Sequence, residues 1–345
     1  MDNLIDTNVV LISDERKLHE PVLIESRNLE YPLETRLARQ KEAIKNICKK
    51  MYFYESPQQF LDNIHSHKND LVISFWSGSN SRNRRAFIPA ICESYGIKYV
   101  GGDAHAMILG QNKWLSKSYL QRWGINTTRG VLLKQLSDIV LTENLKYPLV
   151  IKPNYEGGSI GISNQNLINN YDELRHMTLK LFEIFKDHLI VEEFIEGIEI
   201  SIIIFGNQNK IKLIEAIKFE SLTDSFILEK GLFSLEVKKR QEAKIIKKLV
   251  TKEISQDLFQ KSKDLFLSLG KIEILRLDGR IQNGQFLAIE LTPDIGLYHS
   301  SSFYKAFEVN KYSFEDMFRL IVNNALEKIE VRNAKRQETQ DDIPS

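Results

Sequence analysis

A short apolar strand that runs into a lysine and a glycine-rich loop constrains this 345-residue chain more than any other stretch. It reads Tyr147-Pro-Leu-Val-Ile-Lys-Pro-Asn-Tyr-Glu-Gly-Gly-Ser-Ile-Gly161. The apolar residues before Lys152 predict the end of a buried strand, and Pro153 prevents a regular continuation of its ladder. The loop from Glu156 onward carries few side chains, so its backbone N–H groups can surround an anion. Lys152 adds a positive charge suited to phosphate.

Other interpretations of this loop remain open from its residues alone. No Gly-x-x-x-x-Gly-Lys-Ser/Thr phosphate loop occurs in the chain. Gly157-x-Ser159-x-Gly161 matches the nucleophile elbow of esterases, but that elbow needs a strand that leads directly into its first glycine. Pro153 and the residues after it disfavour such a strand. A glycine-rich surface turn is the remaining alternative.

The composition excludes several classes of function. A net charge of +1 gives no general reason to expect nucleic acid or membrane binding. The two cysteines, Cys48 and Cys92, form no metal or redox pattern. The N-terminus lacks a secretory signal pattern, and no apolar run approaches the ~18 residues of a membrane span. We therefore expect a cytoplasmic protein without a nucleic acid or membrane partner.

The pattern of elements predicts an α/β chain with three units and a tail. Alternating strands and helices predict an α/β domain over residues 1–109. The strand and glycine loop fall in a second unit, 110–190, and a β-rich unit follows over 191–330. Residues 241–269 predict a long basic amphipathic helix, whose lysines favour a solvated face over nucleic acid binding. The polar residues 331–345 predict a disordered tail.

A hairpin near the C-terminus predicts a cluster of charged side chains. Residues 272–281 and 285–292 alternate between apolar and polar residues, as strands with one buried face do. A three-residue loop with Gly284 in the left-handed region would place the polar rows of both strands on one face. That face carries Arg276, Asp278 and Glu290.

Two carboxylates held in this way suit Mg²⁺, which takes one or two protein carboxylates together with phosphate oxygens. Arg276 beside them offers a fixed positive fork for a transferred phosphoryl group. The alternative is a cross-strand surface ion pair, which contributes only ~0.2–1 kcal/mol. The hairpin alone leaves both interpretations open.

Taken together, these stretches resemble the ATP-grasp superfamily, and within it the D-alanine–D-alanine ligase family. The resemblance covers roughly residues 70–330 and rests on an ordered set of motifs. These motifs are Lys113 in Gly-Gln-Asn-Lys-Trp, Val-Ile-Lys152-Pro, Glu156-Gly-Gly-Ser-Ile-Gly161, Val191-Glu-Glu-Phe-Ile-Glu-Gly-Ile-Glu199, Arg276-Leu-Asp-Gly279 and Glu290-Leu-Thr-Pro-Asp-Ile-Gly296 followed by His299-Ser-Ser301. The resemblance implies an N-terminal α/β domain and two ATP-grasp lobes that clamp ATP.

The resemblance also implies roles for individual residues. The phosphates of ATP would lie against two lysines and the glycine loop, the adenine against the hinge between the lobes, and the ribose against one glutamate. The nucleotide-binding residues so implied are Lys113, Lys152, Glu156, Gly157, Gly158, Ser159, Gly161, Glu192, Glu193, Ile195 and Glu199. The residues implied for catalysis are Arg276, Lys230 and Ser159. Two Mg²⁺ ions would be held by Asp278, Glu290 and Thr292, and the second substrate by Ser301 and Ser302.

The function implied by the resemblance is ATP-dependent ligation of a carboxylate to an amine through an acyl phosphate, on an amino acid or small peptide. The family's habit further implies a homodimer. Two alternatives remain. One is a catalytically degenerate nucleotide-binding protein that serves as a partner or regulator. The other is transfer of the acyl group to a carrier-protein thiol.

Departures from the family pattern argue against D-alanine–D-alanine ligase activity itself. The N-terminal region lacks the family's glycine-rich first loop with its amino-binding acid, and residues 77–84 lack its Gly-Glu-Asp-Gly. Gly158 stands where the family has a serine, and Thr292 replaces an asparagine metal ligand. Asp294 is a candidate to compensate for that replacement. We expect a relative with a different acyl donor or amine acceptor.

Overall fold

The computed structural model describes residues 4–19, 23–78, 81–208, 210–223, 226–232, 244–293 and 296–340. Within these residues the chain forms three β-sheets covered by helices, which confirms the mixed α/β class predicted from the sequence. None of the helices in this part of the chain combines the length and apolar character needed to cross a membrane.

The first sheet is parallel and belongs to the N-terminal region. Its strands are β1 (Ile5–Ile12), β2 (Cys48–Tyr54), β3 (Leu71–Ser74) and β4 (Lys98–Tyr99), in the order β2-β1-β3-β4. The accompanying helices are α1 (Glu34–Ile47), α2 (Pro57–Asp62) and α3 (Phe87–Tyr95). The segments that follow β1 and β3 leave the sheet at the same edge, because parallel strands share the direction of their carboxyl ends.

The second sheet carries the glycine loop. Its strands are β5 (Gly130–Leu133), β6 (Leu149–Pro153), β7 (Leu167–Ile168) and β8 (Leu189–Glu193), in the order β5-β8-β6-β7. Helix α6 (Tyr171–Phe185) packs on this sheet, whereas α4 (Ala104–Gln111) and α5 (Lys113–Arg122) pack towards the third sheet. The predicted boundary between residues 190 and 191 is wrong. The boundary falls inside β8, which pairs with β5 and β6. A short apolar segment in the sequence does not show that pairing.

The third sheet is antiparallel and extends over residues 198–292. Its strands are β9 (Ile198–Gly206), β10 (Ile211–Ser221), β11 (Ile245–Leu249), β12 (Ile274–Gln282) and β13 (Gln285–Thr292), in the order β11-β10-β9-β12-β13. The helices of this region are α7 (Phe226–Glu229) and α8 (Gln256–Ser268). The long helix predicted over 241–269 is wrong for 245–249. There the chain forms an edge strand on β10, as its β-branched Ile-Ile pair favours.

The C-terminal helices join the first and third sheets. They are α9 (Ser302–Val309) and α10 (Phe314–Gln340), and α10 lies along α1. Their apolar residues share a core with Leu11 of β1 and Ile203 of β9. Helix α10 continues through residues 331–340, many of which have good helix propensity, and the predicted disorder of residues 331–345 stays a prediction. Residues 341–345 lie outside the described part of the chain.

The turn of the β12–β13 hairpin differs from the prediction. Gln282 pairs with Gln285, so the loop contains two residues, Asn283 and Gly284, with φ values of 51° and 78°. Two left-handed residues with this sequence are typical of a type I′ turn. The register then shifts beside Ile289, which a β-bulge leaves unpaired, so that Asp278 lies opposite Glu290. The predicted three-residue loop is therefore wrong, although the bulge still places Arg276, Asp278 and Glu290 on one face, as predicted.

Candidate functional site

Lys113 and Lys152 come from two different elements that one buried asparagine holds together. The main-chain carbonyl of Asn154, just after β6, accepts the Lys113 N–H at 3.1 Å, and its Oδ1 accepts the Trp114 N–H at 2.9 Å. Its Nδ2 donates to Oδ1 of Asn112, the residue that caps α5, at 2.9 Å. The N-terminus of α5 is thereby fixed against the end of β6.

Glu192 lies at the centre of a buried charge cluster. Its carboxylate contacts Lys152 at 2.5 Å, pairs with Lys117, and accepts a hydrogen bond from Thr128 at 2.8 Å. Burial alone would raise the pKa of Glu192, but the two ammonium groups hold that pKa well below its usual range. Burial lowers the pKa of Lys117, although Glu192 opposes that shift. Glu192 therefore supplies the compensating negative charge for two buried lysines.

Lys117 was not predicted as a site residue, although a signal for it exists in the sequence. It follows Lys113 by four residues on α5, so the two side chains lie on one face of the helix. Two lysines at that spacing are both buried, which is unusual for this residue type. Two lysines at this spacing could have indicated a buried anion partner.

Asp278 and Glu290 face each other across the hairpin, on the same side of the sheet. Asp278 accepts from Arg276 Nε at 2.8 Å and from Ser201 Oγ at 2.5 Å. Glu290 lies 3.4 Å from the Lys113 ammonium, which also donates to the main-chain carbonyl of Glu156. Burial lowers the pKa of Lys113, although Glu290 opposes that shift. The acid pair and the lysine thus form one cluster.

The donor set at this cluster fits Mg²⁺. The Oγ1 atom of Thr292 is buried and has no hydrogen-bond partner among the described residues. Thr292 lies opposite Arg276 on the same face as Asp278 and Glu290. Within the described ranges no group of three or more His, Cys, Asp or Glu side chains could hold a metal, and the donors at this cluster are two carboxylates and one hydroxyl. Such a set suits Mg²⁺, which keeps waters and takes substrate phosphates. Asp294 lies outside the described residues.

The side chain of Glu156 faces the N-terminal region. Its carboxylate pairs with Arg27 at 2.7 Å and with Arg84 at 2.9 Å. Arg84 is buried and also contacts Glu30 at 3.0 Å, and Arg85 contacts Glu30 at 2.6 Å. Arg84 and Arg85 lie in the segment that lacks the family's acidic residues. The side chain of Glu156 therefore ties the start of the glycine loop to two segments of the N-terminal region.

The glycine loop approaches the N-terminal region closely. A Cβ atom on Gly157 would lie 2.3 Å from Glu30 Oε1, so any other residue would have to displace that carboxylate, which is paired with Arg84 and Arg85. Gly158, Ser159 and Gly161 all have positive φ values, and the Gly161 N–H donates to the Ile24 carbonyl at 2.8 Å. The loop is therefore shaped by backbone contacts with the segment that follows β1.

The predicted hinge and ribose residues meet at Arg280, which was not predicted. Arg280 Nε donates to Glu199 at 2.8 Å, and Nη1 donates to the Ile195 carbonyl at 2.8 Å. The same guanidinium reaches the loop that contains Lys230, at the end of α7. Glu193 is not brought into this group, since it pairs with the exposed Arg129 at 3.6 Å.

The two predicted substrate serines lie at the start of α9. Ser301 is the N-cap, and its hydroxyl accepts the Tyr304 N–H at 3.0 Å. Ser302 is the first residue of the helix, and both serines are buried. Ser301 Oγ thus already has a structural hydrogen bond. The Ser301 N–H also has a partner, because it donates to the Tyr298 carbonyl at 2.9 Å. The Ser302 N–H lies in the first turn of the helix, where a carboxylate is favoured.

Comparisons with known proteins agree with this arrangement. The chain is 27% identical over 265 residues to a D-alanine–D-alanine ligase from Campylobacter lari, which covers 76% of this chain and 69% of that protein. Its fold is similar to that of the Bacillus anthracis D-alanine–D-alanine ligase complexed with ATP, with a TM-score of 0.71 and 19% identity over 94% of this chain and 99% of that one. The VanG D-Ala:D-Ser ligase from Enterococcus faecalis gives a TM-score of 0.65 and 18% identity, over 93% of this chain and 100% of that one.

The strongest of these findings is a match to a protein family. The family described as D-ala D-ala ligase C-terminus matches residues 125–323, a span of more than half of the chain. That span contains the glycine loop, Glu192 with Lys152 and Thr128, and the acid pair of the hairpin. The protein therefore belongs to the D-alanine–D-alanine ligase C-terminal family, whose members share the ATP-grasp fold.

Proposed function

We propose that this protein is an ATP-dependent ligase that joins a carboxylate to an amine and releases ADP and phosphate. The observation that carries the proposal is the position of Asp278 and Glu290. They lie opposite each other on one sheet face, with Glu290 3.4 Å from Lys113. Carboxylates beside a buried lysine suit a metal-bound polyphosphate, since the metal needs the acids and the phosphates need the cation.

The proposed reaction has two steps. A carboxylate oxygen of the first substrate attacks the γ-phosphorus of ATP, the bond to the bridging oxygen breaks, and ADP leaves. The nitrogen of the amine then attacks the carbonyl carbon of the acyl phosphate, inorganic phosphate leaves, and the nitrogen loses a proton. In such phosphoryl transfers the protein contributes positioning and charge neutralisation rather than covalent chemistry.

The described residues have separate tasks in this proposal. Lys113 and Lys152 hold the phosphates, and Lys230 meets the γ-phosphate. Arg276, which lies beside Asp278, stabilises negative charge as the acyl phosphate and the tetrahedral intermediate form. Mg²⁺ at the two acids and Thr292 would neutralise phosphate charge. The glycine loop excludes water, which would otherwise hydrolyse the acyl phosphate.

We propose an amino acid or small peptide as the substrate, with a first substrate other than D-alanine. The relatives above are ligases of D-alanine with D-alanine or D-serine by their names. In this chain the segment after β3 carries the buried Arg84 and its neighbour Arg85, which pair with Glu30 and Glu156. These arginines support a first-substrate pocket with a different charge pattern. A cytoplasmic homodimer remains part of the proposal.

Phosphate release with Mg²⁺, ATP and pairs of amino acids or dipeptides tests the proposal, with mass spectrometry to detect the amide. Lys152→Ala and Glu290→Ala should abolish ADP formation and leave the fold intact by circular dichroism. Lys248→Ala is the matched control, because Lys248 also pairs with a glutamate, at 2.6 Å, but on an exposed edge strand. Full activity in either site variant would refute the assigned site. ATP binding without turnover on any amine would favour the degenerate nucleotide-binding protein.

A further inference from the structure

We propose that Arg280 is a positioning residue that holds the Lys230 loop and Glu199 in place for the nucleotide. The inference rests on the proposed function, because it takes from there the contact between Lys230 and the γ-phosphate. Arg280 lies on β12, two residues after Asp278, and its side chain is buried. No role was predicted for it from the sequence.

The guanidinium of Arg280 joins three separate segments. Nε donates to Glu199 Oε2 at 2.8 Å, and Nη1 donates to the carbonyls of Ile195 at 2.8 Å and Glu229 at 3.3 Å. Nη2 donates to the carbonyl of Gly231 at 2.7 Å. These partners belong to β9, to the connection between β8 and β9, and to the last residue of α7 with the loop that follows it. One side chain thus bridges the predicted ribose, hinge and γ-phosphate residues.

Lys230 lies between the two loop carbonyls that Arg280 binds. Glu229 and Gly231 flank it directly, so the guanidinium fixes the backbone on both sides of the lysine. The Glu229 carbonyl also accepts the Gly197 N–H at 2.9 Å, which ties the same loop to the start of β9. The Lys230 side chain itself is exposed. Its reach towards a ligand therefore depends on where these backbone contacts hold its Cα atom.

The arrangement is more than an ion pair with Glu199. Such a pair needs only one edge of the guanidinium, whereas three carbonyls from two further segments occupy the other donors. A lysine at this position keeps the charge but has three tetrahedral donors on one atom, and it cannot span these acceptors in the same plane. Ordering a loop in advance removes part of the entropy cost of binding and keeps the reacting group in place.

A double-mutant cycle in binding tests the proposal. Isothermal titration calorimetry with Mg·ATP and Mg·ADP gives the preference for ATP, which reports the γ-phosphate contact and cancels the effect of Glu199 on the ribose. We expect Arg280→Lys and Lys230→Ala each to reduce this preference about tenfold, the size of one charge-assisted hydrogen bond. The double variant should be no worse than Lys230→Ala alone. Losses that multiply in the double variant would overturn the inference.

Limited trypsin digestion gives a second readout that is independent of ligand. Mass spectrometry identifies cleavage after Lys230, which should be faster in Arg280→Lys than in the unmodified protein, because the flanking carbonyls lose their donors. Arg319→Lys is the control, since Arg319 pairs with Glu315 on α10, away from this loop, and should not change that cleavage. Equal cleavage in all three proteins would contradict the proposal.

Further outcomes distinguish a loss of folding in the Arg280 variants from a loss of the positioning role. Arg280→Met is made alongside Arg280→Lys, and both should unfold cooperatively. If neither does, Arg280 is a structural residue of the sheet and the positioning role is wrong. If the unmodified protein binds ATP but forms no amide, the proposed function fails while the binding cycle still decides this inference. If it binds no ATP, both fail.

Discussion

Replacing Glu192 by glutamine should destabilise the protein far more than the same change at its neighbour. Glu192 is the buried acid shared by Lys117 and Lys152. Removing one partner of a buried ion pair costs about 3–5 kcal/mol, because it leaves a charge without compensation. Glutamine keeps one oxygen acceptor of similar shape, so we expect the lower end, a loss of about 3 kcal/mol in the free energy of unfolding. Urea unfolding at pH 7, followed by circular dichroism, measures it.

Glu193→Gln is the matched control for this experiment. Glu193 is the next residue on β8, and its partner Arg129 lies at 3.6 Å with an exposed side chain. A pair of this kind contributes less than about 1 kcal/mol. Equal losses in the two variants, or no loss in Glu192→Gln, would refute the account of Glu192 as the acid that compensates both buried lysines.

The stability difference between the unmodified protein and Glu192→Gln should change with pH in one direction. The pKa of Glu192 is held below its ordinary value of 4.5 in the folded protein, so the unfolded chain takes up the proton first as the pH falls. The stability that Glu192 contributes is fully present above about pH 4.5 and is lost as the pH falls further. The difference between the unmodified protein and Glu192→Gln should therefore shrink from pH 7 to pH 4. A difference that grows would contradict this reasoning.

Three further outcomes test other parts of the site. Thr292→Asn should keep or raise Mg²⁺ affinity in the presence of ATP, because an amide oxygen is a better metal ligand; unchanged metal dependence would count against Thr292 facing the metal. Gly284→Ala should cost about 1 kcal/mol in urea unfolding, since the added Cβ meets no atom within 4 Å and only the left-handed backbone opposes it. Mg²⁺ alone should bind weakly in calorimetry, because Lys113 and Arg276 already pair with the acids; tight binding without nucleotide would be inconsistent with that pairing.

The local pattern was sufficient for the parts of the fold that depend on alternation. Strict alternation on β12 and β13 predicted that Arg276, Asp278 and Glu290 share a face, which the pairing of the two strands confirms. It could not predict the bulge at Ile289, because alternation gives the faces of a strand and not the number of unpaired residues. The Asn283-Gly284 turn was the stronger signal, and the prediction of a longer loop gave it too little weight.

The contacts that complete the site depend on residues distant in sequence, which no local pattern shows. Glu192 lies 75 residues from Lys117, and Arg280 lies 81 residues from Glu199. A buried charge requires a partner, but the sequence does not show which of the many acids and bases is that partner. The prediction of a helix over residues 245–249 was wrong for a related reason. This edge strand is defined by its pairing with β10 rather than by its own periodicity.

The charges of the site explain why metal and nucleotide should bind together. Each acid of the hairpin already has a cation beside it, and Lys117 and Lys152 share Glu192. A metal ion alone must compete with Lys113 and Arg276 for the carboxylates, and a polyphosphate alone meets the charge of those carboxylates. When both arrive, the lysine and arginine can turn to phosphate oxygens while the metal takes the acids, so no buried charge loses its partner. Arg280 contributes to this balance of charge. It neutralises Glu199, so that the lysines and Arg276 remain available to the phosphates.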